Sequence, residues 1–462
     1  MRWALSLGKR RRIVSLKMKK SASLFTGADG RNHLFTFALV SSLFLIWGIC
    51  NGMIDVMDKH FQDKLHLTKA QSAWVQFSHY MGYCLVSLPA GYLARRVGYR
   101  GGIITGLLVV AAGGFWFILA ASRNTLGFFL AGVFILASGL TFLETVANPY
   151  TTVLGGRNYA STRINLAQSV NGIGWILGPI IGGIFFYSSG PSTVERLDVP
   201  YVAVAVVVLV LAIVFFFAPM PDIEIEDDYH LDDAVRGVSK SIWSHPHFVL
   251  AVAAQFLYIA AQAGIFSFFI NYMVEEIPSI SIHAASSWFL ANGTEARDGA
   301  VFINEQGAAR LLGYGGFVLF LLGRVTGSAL LSRFAANRVL GLYAAVNVVL
   351  MALIFAKLGW LSVGALFLSF FFMSIMFPTI FALGIHGLGE QAKKASSFIV
   401  MAILGGALVP KLMGWVGDHY GMSKGFLVPL ICFAGIAGYG FFWERWSTRK
   451  AHAPKDITKQ QK

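Results

Sequence analysis

Glu144 and Asn148 stand four residues apart in the run S-G-L-T-F-L-E-T-V-A-N-P-Y (138–150), directly after an almost wholly apolar flank, 126–137. Four residues is about one helical turn, so the carboxylate and the amide share a face. The stretch is long enough to cross a bilayer, and a carboxylate there is costly unless it faces a bundle interior or a wet cavity. Such a group either makes a structural contact between helices or serves a solute, a proton, or both. The pattern recurs. Asn51 and Asp55 are four apart, and Gln76 and His79 three apart. Asn165, Gln168 and Asn171 share one face, as do Gln255, Tyr258 and Gln262. Interhelical amide bonds, worth about 0.6–2 kcal/mol each, account for one or two such stripes. Five stripes, four of them in the first half of the chain, read as the lining of one cavity.

The chemistry of that lining is amide-rich, with Trp47, Phe77, Tyr80 and Trp175 as aromatic neighbours. Asn and Gln both donate and accept hydrogen bonds, which suits a polyhydroxylated neutral solute such as a monosaccharide. An anion site would want Arg or Lys. Away from the ends of the apolar segments only Arg324, read as structural, and Lys411, left without a role, qualify. No G-x-x-x-x-G-K-[ST] phosphate loop occurs, so the energy source is a gradient rather than ATP. Asp55 and Glu144 are the candidate proton carriers, since a buried carboxyl can load and unload protons near physiological pH. Cys50, Cys84 and Cys432 lie in apolar runs without metal spacing, so neither a disulfide nor a metal site is expected. No cofactor is expected. No nucleophile–base or metal cluster stands out, so an enzyme is not expected either.

The elements that must position these residues are membrane spans. Of 462 residues, 56% are hydrophobic and 13% charged, against about 25% charged in soluble domains. Twelve apolar segments are predicted at 35–60, 72–94, 101–122, 125–151, 164–187, 200–219, 248–273, 308–332, 338–358, 360–386, 396–416 and 425–445. Lys and Arg concentrate in the two tails and in the junctions on the tails' side of the membrane, which places both termini in the cytoplasm. The net charge of +14 is thereby a topology signal and not a nucleic-acid footprint. The predicted organisation is a basic tail (1–34), a six-helix bundle (35–219), an acidic cytoplasmic linker (220–247), a second six-helix bundle (248–445) with an outward polar loop (275–306), and a cytoplasmic tail (446–462). Six plus six with a polar central linker is a pattern of secondary transporters, whose site lies between the halves near the midplane.

Several runs resemble one family. They are F-L-I-W-G-I-C-N-G-M-I-D (44–55), L-P-A-G-Y-L (88–93), G-Y-R-G-G-I-I-T-G-L (98–107), L-E-T-V-A-N-P (143–149), R-I-N-L-A-Q-S-V-N (163–171), A-Q-F-L-Y-I-A-A-Q (254–262), V-E-E-I-P (274–278), F-M-S-I-M-F-P-T-I-F-A-L-G-I (372–385) and S-S-F-I-V-M (396–401). Together they resemble the fucose–galactose–glucose–proton symporter family of the major facilitator superfamily. The resemblance implies an all-α membrane protein of twelve helices in two six-helix bundles, working as a monomer in a bacterial inner membrane. It implies proton-coupled import of L-fucose or a related monosaccharide, with glucose or galactose as the alternative. It also places the family's essential carboxylates on Asp55 and Glu144. Gly52 stands where the family motif carries a second Asn, which bears on sugar identity. Gly174–Gly183 matches a glycine pattern of proton–drug antiporters, but small residues also serve close helix packing, and packing is the expectation here. A non-transporting sugar sensor is disfavoured, because no sizeable soluble signalling domain accompanies the spans.

Overall fold

The computed structural model describes residues 24–26, 31–155, 160–187, 198–220, 241–288, 290, 292–331, 333–386, 388 and 392–447. Expectations for the basic tail, for most of the acidic linker and for the end of the second tail lie outside these residues.

The first half holds α1 (Leu34–Leu65), α2 (Lys69–Ser72), α3 (Trp74–Arg123), α4 (Leu126–Val153), α5 (Ala160–Phe186) and α6 (Asp198–Phe217). The second half holds α7 (Pro246–Ser267), α8 (Phe269–Glu275), α9 (Ile282–Ala285), α10 (Glu305–Leu311), α11 (Val318–Leu331), α12 (Ala336–Phe355), α13 (Trp360–Met373) and α14 (Met376–Ile385). It ends with α15 (Ala392–Met401), α16 (Gly405–Tyr420), α17 (Met422–Gly425) and α18 (Leu427–Ser447). A π-helical turn, Leu312–Phe317, joins α10 to α11.

Eleven helical stretches among the described residues are long and apolar enough to cross a membrane. The twelfth expected segment, 72–94, is the first limb of α3. Its polar residues, among them Gln76, Ser78, His79 and Ser87, dilute the hydrophobicity, yet it is helical from Trp74 on. The limbs of α3 meet at Gly98, whose φ of 72° and ψ of 177° suit a residue without a Cβ. The first span is longer than expected: α1 has 32 residues and so spans about 48 Å. Its end, read as lying near residue 60, lies at Leu65 with His66 in the left-handed conformation beyond it.

Within the first half α1 packs on α5, and α3 packs on α4 and α6. Within the second, α7 packs on α14, α16 and α18, and α12 packs on α13 and α18. The outer surface is apolar: Val206, Val207, Val210, Ile213, Val214, Phe216 and Phe217 of α6 are all exposed. In hydrocarbon such side chains cost nothing, whereas the backbone must be hydrogen-bonded internally, as it is in helices. The chain is a multi-pass membrane protein.

One departure from an all-α reading lies in the polar loop 275–306. Strands β1 (Thr294–Arg297) and β2 (Ala300–Ile303) form an antiparallel hairpin. Asp298 and Gly299 turn it with positive φ at both positions, 49° and 75°. This is the Asp-Gly chemistry of a tight two-residue hairpin. Asn304 then caps α10, accepting from the Gly307 N–H at 2.9 Å.

Two seams join the halves, and both close toward one end. On one seam an added Cβ at Gly414 would lie 2.7–2.9 Å from Lys69 and Ala70, and one at Gly406 would meet the Tyr80 ring at 2.5 Å. Beyond that level Leu85, Leu88 and Tyr92 of α3 and Val400 and Met401 of α15 are exposed. On the other seam Gly183 meets Ala309, Gly313 meets Ile176 and Ile180, and Gly172 meets Leu321. Beyond it Leu166, Leu322 and Val325 are exposed. The closed end also carries a polar latch. The Asp418 carboxylate accepts from the backbone N–H groups of Lys69 (2.9 Å) and Ala70 (3.0 Å) at the start of α2. Lys69 Nζ pairs with Glu275 at 3.0 Å. Gln62 and Asn271 exchange amide hydrogen bonds.

Candidate functional site

Two carboxylate centres lie on the first half, joined by one face of α3. At the first, Gln76 Nε2 donates to Asp55 Oδ1 at 3.1 Å and to Asp58 Oδ2 at 3.3 Å. Asp55 and Asp58 are three residues apart on α1, so both point to the same side. Asp58 is fully buried and Asp55 is 5% exposed. Asp55 Oδ2 and Asp58 Oδ1 have no hydrogen-bond partner. None of the ion pairs among the described residues involves either carboxylate. The sequence reading missed Asp58, because it followed the stripe only from Asn51 to Asp55. An acid three residues after Asp55 was the available signal.

Glu144 on α4 forms the second centre and is half-buried. Tyr83, two turns after Gln76, lies within electrostatic reach of it. The Tyr83 hydroxyl accepts from Trp47 Nε1 at 2.6 Å, with Asn51 beside it. One turn beyond Glu144, the Asn148 side-chain oxygen accepts from Gln168 Nε2 at 3.2 Å. Tyr83 was also missed, although its spacing from Gln76 and Tyr80 places it on their face. His79 sits between the rings of Tyr80 and Tyr83, at 5.1 and 5.0 Å. Its Nδ1 is buried and without a hydrogen-bond partner.

The remaining expected lining residues divide. Asn171 gives its amide to the Phe44 carbonyl at 3.0 Å, tying α5 to α1. Tyr258 donates to the Met373 carbonyl at 3.1 Å, tying α7 to α13. Gln255 is fully buried in helix packing, with neither side-chain polar atom partnered. In this conformation these three are therefore struts or sealed groups and do not line open space. Gln262, one turn beyond Tyr258, is half-buried. Trp175 fills the seam between halves, 5.8 Å from Phe266 and 5.1 Å from Phe317. The side chain of Asn165 lies outside the described residues.

The two intramembrane cations singled out in the sequence are both engaged. Arg324 reaches the Ser374 carbonyl at 3.5 Å and covers Phe320. Lys411 lies 3.8 Å over the Trp74 ring, across the halves. The glycine pattern of α5 is a packing device. An added Cβ at Gly178 would lie 2.7 Å from Gly52 Cα, and Gly48 and Gly174 abut at the same interface. Gly52 is part of that contact, which leaves no room for a side chain there.

Two helical halves that meet along two seams, are latched at one end and keep uncompensated carboxylates inside are the frame of a membrane transporter rather than an enzyme. The chain belongs to the Major Facilitator Superfamily, whose family model matches residues 34–410. It is 35% identical over 444 residues to the L-fucose-proton symporter of Escherichia coli (strain K12), covering 91% of this chain and 95% of that one. It is 34% identical over 417 residues to a glucose/galactose transporter of Brucella abortus biovar 1 (strain 9-941), covering 89% of this chain and 94% of that one. Among solved structures, the transporter FucP in its outward conformation matches with a TM-score of 0.61 at 35% identity, over 89% of this chain and 99% of that one.

Proposed function

We propose that the protein is a proton-coupled monosaccharide symporter, importing L-fucose or a related sugar such as glucose or galactose by alternating access. The observation that carries this reading is the second carboxylate centre. A half-buried Glu144, with Tyr83, Trp47 and the Asn148–Gln168 amide pair around it, offers donors and acceptors to sugar hydroxyls. Asp55 and Glu144 are the proton-carrying groups. Asn51, His79, Asn148, Gln168 and Gln262 are the remaining substrate contacts, and Gln76, Asn171, Gln255 and Tyr258 support them. The bundles are 35–219 and 248–445, joined by 220–247, with both termini in the cytoplasm of a bacterial cell and the monomer as the working unit.

In that orientation the latched end is the outer one, so the conformation is inward-facing. The modest superposition on the outward FucP structure despite 35% identity is what a different rocking of two similar halves produces. Radiolabelled L-fucose, D-galactose and D-glucose uptake into proteoliposomes, with and without a pH gradient, tests the reading. Accumulation of at least one of them only under the gradient is expected. Uptake that ignores the gradient, or no uptake of any, removes it.

A further inference from the structure

We infer that the proton site at the latched end is a two-carboxylate site in which Asp58 is a full member: Asp55 and Asp58 hold one proton between them across Gln76, and Ser267 of the opposite half reads its presence. This inference rests on the symport reading for its meaning but not for its test.

The geometry is specific. A single amide nitrogen, with two N–H groups, donates one to each carboxylate. Each acid thereby keeps one oxygen free, Asp55 Oδ2 and Asp58 Oδ1, and both are buried and unpartnered. Two carboxylates this close in a dry site cannot both stay ionised cheaply, so a proton stays with the pair. Among the described residues, the groups that face the pair offer no compensating cation. From α3 come Gln76 and Tyr80, from the end of α5 Tyr187, and from α6 Tyr201. On α1 itself, Lys59 is engaged with Asp63 and Glu305, and the His60 ring packs on Phe186 and Tyr187.

An independent feature points into the same site from the other half. The Ser267 hydroxyl at the end of α7 is fully buried and faces Asp58, yet closes no hydrogen bond in this conformation. A hydroxyl can donate to a carboxylate or accept from a protonated one. The contact between α1 and α7 therefore differs between the two protonation states. It lies one turn below the Gln62–Asn271 pair of the latch. Loading or losing the shared proton thus acts directly where the halves separate.

The test is an infrared titration of the carboxyl C=O stretch in the purified protein from pH 4 to 10, which needs no sugar. It compares the native chain with Asp58→Asn, Asp55→Asn and Ser267→Ala. All four proteins carry Glu144→Gln, so that the open-side carboxylate adds no step of its own. Two separated steps are then expected for the native pair, and a single step in either Asn variant, displaced from both pair steps by about one pH unit or more. Ser267→Ala should keep two steps and move the later one. Monodispersity on gel filtration identifies any variant that does not fold, and the other Asn variant then decides. If the step of the remaining acid sits where it does in the native protein, the two titrate independently and the inference falls. If no sugar is transported by the native protein, symport falls while the titration still decides the shared proton.

Discussion

The two carboxylate centres of the first half sit in opposite surroundings. Asp55 and Asp58 lie about 10–15 Å from the latched end of α1, counted at 1.5 Å per residue, and are sealed by the second half. Glu144 lies about 14 Å from the far, open end of α4 and keeps part of its surface free. One face of α3 connects them through Gln76, Tyr80 and Tyr83. The difference teaches a division of labour. A group that a solute must reach belongs where the cavity opens, and a group that must hold a proton through the rocking step belongs where the halves close.

The largest effects come from collapsing that division at its open side. Glu144→Ala removes a charged acceptor worth about 1.5–3 kcal/mol, so sugar affinity should fall by about tenfold or more in calorimetric titration. Glu144→Gln keeps the shape. It should abolish accumulation under a pH gradient while counterflow, which needs no net proton movement, survives. Continued accumulation by Glu144→Gln would show that the open centre carries no coupling proton.

At the sealed side, Asp55→Asn should bind sugar within about threefold of the native affinity and yet fail to accumulate it. The Asn side chain keeps an oxygen for the Gln76 N–H, so the packing survives. Affinity lost to the same extent as in Glu144→Ala would mean that both carboxylates touch the sugar and that the contrast is false.

These contrasts were only half legible in the residue order. The spans, the polar stripes and the acids at 55 and 144 follow from apolar run length and helical spacing, because both are local. Asp58 lay inside the expected span 35–60 and was passed over because the stripe was read only from Asn51 to Asp55, and the hairpin was lost to an Asp298-Gly299 signal that a long polar loop disguised. The latch was invisible for a different reason. Asp418 meets Lys69 across 349 positions and Asn271 meets Gln62 across 209, and no periodicity in either segment announces its partner. Asn171 and Tyr258 show the converse ambiguity. Their stripe positions were read correctly, but a polar face between helices serves a backbone carbonyl as well as a solute.

A smaller effect is expected from loosening the latch. Asp418→Ala leaves two N–H groups at the start of α2 without their acceptor, a loss of about 1 kcal/mol for a cap of this kind. The balance between latched and unlatched states should move about fivefold toward the unlatched form. Distances between spin labels placed on either side of the latch would report this. Lys69→Ala removes a partly exposed pair, and such pairs are worth 0–1 kcal/mol at most, so it should move the same distances less. An equal or larger shift in Lys69→Ala would place the strength of the latch in charge rather than in capping.

The smallest effect belongs to Glu276, beside the latch and outside the spans. Burial alone would push its carboxyl up. The ion pair with Lys357 Nζ at 2.6 Å and the hydrogen bond from the Ser423 N–H at 3.1 Å outweigh burial and hold it below the ordinary carboxylate range. A carboxylate with a lowered folded-state pKa stabilises fully above its unfolded value of about 4.3 and loses that contribution as the pH falls through the folded value. Lys357 is 60% exposed, so solvent screening keeps the contribution under about 1 kcal/mol. The melting temperature of the native protein should therefore be flat from pH 7 to 5 on account of this pair and fall below about pH 4.3. Glu276→Gln should start slightly lower and lose less over the same acid range. Parallel acid limbs for the two proteins would mean that the Lys357 and Ser423 contacts do not persist in the bilayer-extracted protein, and that the closed end is held by Asp418 and the Gln62–Asn271 pair without them.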